Sequence, residues 1–336
     1  MKVVNLPKRM IISRTDSIGD VITTLPLAAF LKEQDKDIII YFIGTAYTKS
    51  IIEACPHVDV FLDRANLLQH GLPADMHAEA ILFVFPDKEL EKKIRKQIPL
   101  LIGTANRWYH WLYLNKRISF SRKNSPLHES QLNFNLLVPW FDAPIPSLEK
   151  IKTYILLKIQ SNTSLQSILD PAAKKHIIFH TKSKGSAREW PLSNYFKLAK
   201  LLASLHYQVY ISGTAAEGKL IHEQCPELFL EKNVTDISGK FSLCEFIEFI
   251  NICDATVACS TGPLHISAAL NKQTIGIYPP IKPMHAGRWG PLGSRSHVLV
   301  STQSCELCRT TGLCACIQSI TAESVYNVLA HFTSNS

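Results

Sequence analysis

An apolar strand, a glycine-containing turn and a helix follow one another at the start of this chain, and the same order begins anew near its middle. Arg9 to Ser13 reads as the strand, Asp16-Ser-Ile-Gly-Asp20 as the turn, and about Val21 to Lys32 as the apolar-periodic helix. Ile38 to Ile43, bounded by Asp37 and Gly44, is dense in isoleucine, as a strand covered on both faces of a parallel sheet should be. Val58 to Leu62 and Ala80 to Phe85 read as further strands. Between Pro139 and Pro171 four prolines and a polar run starting at Gln160 break the pattern, which predicts a linker. The alternation restarts with strands at His176 to His180, Gln208 to Ser212 and Ala255 to Cys259, and with helices near Ser193 to Leu205 and after Ala215. Strands alternating with helices imply parallel α/β sheets. At 336 residues the chain has room for two such domains, expected over 1–160 and 161–336.

Residues Met1 to Arg14 lack the apolar run of a signal peptide, and no stretch approaches the ~20 apolar residues of a spanning helix, so a cytoplasmic protein is expected. In that reducing setting nine cysteines favour thiols or metal ligands over a disulfide framework. The net charge of +8 suits an anionic partner, whether a phosphorylated glycolipid, a nucleotide or a nucleic acid.

Three constellations carry chemistry. In Arg14-Thr-Asp-Ser-Ile-Gly-Asp20, with Thr24 and Pro26 beyond it, a carboxylate stands at the mouth of a strand–turn–helix unit, where open α/β sheets bind ligands. Asp20 is there either a proton acceptor or a helix cap. His180-Thr-Lys-Ser-Lys-Gly-Ser-Ala-Arg-Glu-Trp-Pro191 puts hydroxyls, Gly185 and the cations Lys182, Lys184 and Arg188 on one loop, which is either a diphosphate cradle or an exposed basic turn. In Ala258-Cys-Ser-Thr-Gly-Pro-Leu-His265 a strand ends in hydroxyls just before a proline-started helix, leaving amides for an anion. His265 on its first turn is a ligand contact or a packed core residue. Gly213-Thr-Ala-Ala-Glu217 occupies the turn after the preceding strand, where a carboxylate accepts from ribose hydroxyls or serves the helix as a first-turn acid.

Taken in order, R-x-D-x-I-G-D with a following T-x-P, Arg188-Glu-Trp-Pro191, Gly213 to Glu217 and S-T-G-P-x-H resemble glycosyltransferase family 9, the lipopolysaccharide heptosyltransferases. The resemblance spans both halves and implies a GT-B fold: two Rossmann-like domains facing each other across a cleft, the acceptor on the N-terminal one and the donor nucleotide on the C-terminal one. It implies an inverting, metal-independent transfer of a heptose, with ADP-heptose the expected donor, onto the lipopolysaccharide inner core. Asp20 matches the family's general base and Arg188 the cation for the donor phosphates. Donor contacts are expected from Thr181, Ser183, Gly185, Ser186, Glu217, Phe241, Ser260, Thr261, Gly262 and His265. Many members carry Asp where this chain has Ser260, so the choice of nucleotide-sugar stays open. Another nucleotide-sugar transferase or a nucleotide-sugar epimerase is the alternative.

Between Lys88 and Lys123 ten lysines and arginines interleave with Trp108, Tyr109, Trp111 and Tyr113. Such a mixture holds an acidic sugar or a phosphorylated lipid head, or presents a solvated face; nucleic acid would like it too, but the family resemblance favours the glycolipid. Acceptor contacts are expected from Arg14, Ser17, Arg107, Arg117, Arg122 and Lys123, and the protein is expected at the cytoplasmic face of the inner membrane. The cluster Cys305, Cys308, Cys314 and Cys316 supplies enough thiolates for a structural zinc, against a reading as plain reduced thiols; no cofactor is expected in catalysis.

Overall fold

The computed structural model describes residues 5–122, 125–159, 163–302 and 315–331. The chain divides into two units, Met1–Lys158 and Ile159–Ser336. Each is built on a six-stranded parallel sheet.

In the N-terminal unit the strands are β1 (Arg9–Ser13), β2 (Ile39–Gly44), β3 (Val60–Asp63), β4 (Ala80–Phe83), β5 (Leu100–Thr104) and β6 (Lys116–Ile118), in the order β3-β2-β1-β4-β5-β6. Met10, Ile11 and Ile12 are fully buried because helices cover both faces of the central strand, which is why β1 is apolar without alternation. The order reverses at β1, whose two neighbours are β2 and β4, so the carboxyl ends of β1 and β4 flank the point where such sheets bind ligands.

The predicted helix from Val21 to Lys32 is two helices, Ile18–Thr24 and Pro26–Gln34. Proline has no N–H to continue the first ladder but is suited to open a second one, and Pro26 does so. Nor is the proline-broken stretch a free linker. Phe30 meets Phe141 and Tyr154 edge to face, at 5.1 and 6.1 Å between centroids, and Trp140, Phe141 and Ile151 are buried. Aromatic side chains fasten its first part, as far as Tyr154, to the N-terminal unit.

The C-terminal unit contains β7 (Lys175–His180), β8 (Tyr207–Ser212), β9 (Val234–Asp236), β10 (Ala255–Cys259), β11 (Gln273–Tyr278) and β12 (Ser296–Val300), ordered β12-β11-β10-β7-β8-β9. Relabelled from its own first strand this is the order of the first sheet, and its reversal falls between β7 and β10. All residues of β8, β10 and β11 are buried. Trp190 closes this core beneath the loop after β7, with its indole N–H donating to Ile320 O at 2.8 Å and its ring 4.7 Å from that of Tyr195.

Candidate active site

Arg14 follows β1 directly and its side chain is only 3% exposed. A buried guanidinium must be paired, and three carboxylates do so. Nε donates to Asp16 Oδ1 at 2.7 Å, one terminal nitrogen donates to Asp20 Oδ1, and the other lies 3.7 Å from Glu129 Oε1. Arg122 reaches the same place from the other side, donating to Glu129, to Asn133 Oδ1 at 3.1 Å and to the carbonyl of Val84 at 3.2 Å, at the end of β4. Two cations thus face three acids. Burial and the charge of Asp20 raise the pKa of Asp16, with Arg14 opposing them, so Asp16 takes up a proton more readily than an ordinary aspartate.

Asp20 is not the residue that caps the helix. Ser17 stands at the N-cap and Asp20 lies in the first turn, where an acid favours the helix dipole. The Ser17 hydroxyl donates to Asp20 Oδ2 at 2.5 Å while Arg14 holds Oδ1, so the carboxylate is fixed at both oxygens with 17% of its surface open. It keeps lone pairs for a further proton. Three of the expected acceptor contacts, Arg14, Ser17 and Arg122, therefore join Asp20 in one network. Arg107 and Arg117 lie apart, Arg107 exposed after β5 and Arg117 over the ring of Trp111 at 4.2 Å. Lys123 lies outside the described residues.

The corresponding place in the second sheet has few charges. Thr181 is buried directly after β7, and its hydroxyl has no hydrogen-bond partner. Ser183 is committed inward: its N–H donates to Glu189 Oε1 at 2.8 Å and its hydroxyl to Ala187 O at 3.0 Å. Lys184 and Gly185, with φ of 50° and 82°, then turn the loop outward, and Gly185 and Ser186 form its exposed tip. Arg188 is half-buried just before Glu189 and Trp190.

Across the switch point, after β10, the hydroxyl of Thr261 turns back to Cys259 O at 3.2 Å instead of capping the helix Gly262–Ala269. Pro263 sits at its start and the side chain of the N-cap residue, Thr261, does not cap its first amides. Such an end attracts anions. Ser260 hydrogen-bonds the phenol of the buried Tyr278, and His265 is buried in the first turn.

Beside β8, Glu217 and Thr214 form a capping box. Burial works against the Glu217 charge, yet the N–H and hydroxyl of Thr214, donating to Oε2 at 2.7 and 2.9 Å, hold its carboxyl below the usual range. The His180 imidazole is pushed down to about 4, because burial outweighs the attraction of Glu217 and Glu189 for its charged form. It is neutral near pH 7 and meets Ser212 Oγ at 3.0 Å. Phe241, expected to touch the donor, is half-buried 5.1 Å from the ring of Phe249.

The cysteine cluster needs correcting. Cys316 is buried and disulfide-bonded, so its sulfur is neither a reduced thiol nor a thiolate for zinc. Cys305, Cys308 and Cys314 lie outside the described residues. Cys55 and Cys259 are buried free thiols whose pKa burial raises to about 11 and about 12, as core residues rather than nucleophiles.

Residues 95–314 match the family described as glycosyltransferase family 9 (heptosyltransferase). The chain belongs to this family. It is 30% identical over 281 residues to lipooligosaccharide heptosyltransferase 2 of Campylobacter jejuni serotype O:2, covering 81% of each protein. Among solved structures it resembles the glycosyl transferase family 9 protein of Veillonella parvula, with a TM-score of 0.78 over all of both chains at 17% identity. It also resembles the ADP-heptose lipopolysaccharide heptosyltransferase II of E. coli, with a TM-score of 0.73 over 98% of this chain and 99% of that one at 18% identity. The fold is GT-B, and the protein is a glycosyltransferase of the heptosyltransferase family.

Against the family motifs, two residues of the N-terminal network, Glu129 and Asn133, escape sequence reasoning. Glu129, 1% exposed, bridges the two arginines from the first turn of the helix Glu129–Asn133. The available signal was the spacing of His128 and Gln131, which form a capping box; it marks a helix start and says nothing about a buried acid.

Proposed function

We propose that this protein transfers a heptose from ADP-heptose to a hydroxyl of the lipopolysaccharide inner core, by one displacement that inverts the anomeric carbon. The observation that carries the reading is the contrast between two switch points, one holding a fixed, partly open carboxylate and the other uncapped helix amides beside a buried unpaired threonine hydroxyl. Asp20 takes the proton of the acceptor hydroxyl as its oxygen attacks, while Arg14 and Ser17 hold the carboxylate in place. Arg188, Thr181 and the amides from Gly262 stabilise the departing diphosphate, and Glu217 accepts from the ribose. With that guanidinium and those amides on the diphosphate, no metal is required by the step. The names of the Campylobacter and E. coli relatives support heptose and ADP-heptose; Ser260 is where the nucleotide-sugar preference is most open to change. Acceptors of this type put the enzyme at the cytoplasmic face of the inner membrane, and nucleic acid has no place in the reaction.

Asp16 is a second candidate for the base, favoured by its raised pKa and by a carboxylate that gives only one oxygen to Arg14. The reading is tested by incubating the protein with a panel of nucleotide-sugars and a lipid A–Kdo type acceptor, and following the acceptor by mass spectrometry. Gain of one heptose from ADP-heptose is expected. Gain of another sugar would change the donor, and release of an epimerised free sugar without transfer would replace the transferase by an epimerase.

A further inference from the structure

The surplus positive charge of this chain is local. Between Glu91 and Glu129 there is no acid, and residues 92–128 contain nine lysines and arginines. Without them the remaining chain has 27 cations against 28 acids, since the whole has 36 and 28. The protein is therefore nearly neutral apart from one region.

That region also displays apolar side chains. Trp108, Trp111 and Leu112 are 68%, 66% and 58% exposed, on the segment between β5 and β6. Cations surround them: Lys88 Nζ lies 5.0 Å from the Trp108 ring centroid, Arg117 lies 4.2 Å from that of Trp111, and Arg95 donates to Leu112 O while lying 5.6 Å from the Tyr113 ring. The segment is held from beneath by buried His110 and Leu114, the histidine ring bonding to Thr104 O, so its outer side chains are presented on a fixed support. It borders the network described above. Lys88 opens the helix after β4, and Phe85, 43% exposed in the same connection, lies 5.7 Å from the Arg14 guanidinium.

We infer that Trp108, Trp111 and Leu112, ringed by Lys88, Arg95 and Arg117, dock the N-terminal domain onto an anionic lipid bilayer. Indole rings settle at the level of lipid headgroups, an aliphatic side chain gains by reaching the acyl boundary, and the surrounding cations are attracted to anionic lipid. Charge complementarity alone would suit nucleic acid or an acidic sugar as well. An exposed leucine directly after an exposed indole favours neither, because it stacks on no base or pyranose, whereas it fits a hydrocarbon boundary. Docking there brings the Asp20 network to the surface where lipid-anchored acceptors stand. It does not depend on heptose being the sugar.

The test is sedimentation of the full chain with vesicles of phosphatidylethanolamine and phosphatidylglycerol, compared with phosphatidylcholine alone, for the parent and for Trp108→Ala/Trp111→Ala/Leu112→Ala. The parent is expected to bind the anionic vesicles, less so at high salt, with a blue shift in tryptophan emission. The triple variant should partition at least about ten-fold more weakly while keeping its melting temperature and its affinity for ADP. Equal partitioning of the two proteins, or no binding by the parent, would overturn the inference. So would equal competition for the patch by a deacylated core saccharide or an oligonucleotide without lipid, because the ring would then be a sugar or nucleic-acid site. Vesicle binding by a protein that transfers no heptose would leave the docking intact and remove only the proposed reaction.

Discussion

After β1 the chain packs two guanidinium groups among three carboxylates; after β7 and β10, at the same point of an identically ordered sheet, it leaves the Thr181 hydroxyl unpaired and a helix start that its N-cap side chain does not cap. Strand order decides where a ligand can sit, because the helix connections part at the reversal. It does not decide what the turn does there. In the N-terminal unit the acids and arginines neutralise one another and leave a positioned proton acceptor. In the C-terminal unit the partial charges of a helix end stay available for an anion brought from outside. In the reaction proposed above the difference separates proton transfer from leaving-group stabilisation, and each half can be broken without the other.

The largest effect is expected at Asp20. Asp20→Asn keeps the shape and can still bond to Arg14, but cannot take a proton, so transfer should fall by roughly two to four orders of magnitude with little loss of stability. Asp16→Asn, measured in the same assay, sharpens the assignment. If Asp16 is the base, the larger loss moves to that variant; near-parental transfer by both would move the base elsewhere.

Next is Glu129, which both arginines share. Removing one member of a buried ion network strands the others, so Glu129→Ala should cost about 3–5 kcal/mol in urea unfolding. A cost below about 1 kcal/mol, the size of an exposed pair, would mean the two guanidiniums do not need it.

On the donor side, Arg188→Ala should weaken nucleoside diphosphate binding about 10- to 100-fold, the equivalent of one hydrogen bond to a charged group. Arg188→Lys should recover part of it. Parental affinity in Arg188→Ala would take the residue out of the donor site.

The smallest effect concerns His180. Its pKa is near 4 in the fold against an ordinary 6.5, so the unfolded chain binds more protons between those values and stability falls as pH drops through that window. Melting temperatures of parent and His180→Gln should therefore converge as pH falls from 6.5 towards 4. Parallel curves would show that the ring is not held neutral.

Much of the fold could be read from sequence because central strands of a parallel sheet are continuous apolar runs; β10, Ala255–Cys259, was predicted residue for residue. The edge strand β3 is also legible, as Val58 to Leu62, but the interior strands β5 and β11 and the edge strands β6, β9 and β12 are not among the runs read from sequence; β6 and β9 have three residues each and little to bury. Pro26 could have split the first helix on paper, being a poor interior residue and a good first one. The site divides in the same way. Motif residues at strand ends were legible, because strand–turn–helix units point them at the switch point. Glu129 was not, as its partners Arg14 and Arg122 are joined to it by tertiary packing alone. The sequence places Ser183 on the donor loop; its hydrogen bonds to Glu189, six residues on, come from the fold of that loop and not from the motif.

Separation of the two roles is tested most directly by calorimetric titration of a nucleoside diphosphate into the parent, Asp20→Asn and Arg188→Ala, each shown to be folded. Asp20→Asn should bind with parental affinity although it is nearly inactive in transfer, and Arg188→Ala should bind weakly. Loss of diphosphate binding in Asp20→Asn, or its retention in Arg188→Ala, would contradict the assignment of proton transfer to the first switch point and the leaving group to the second.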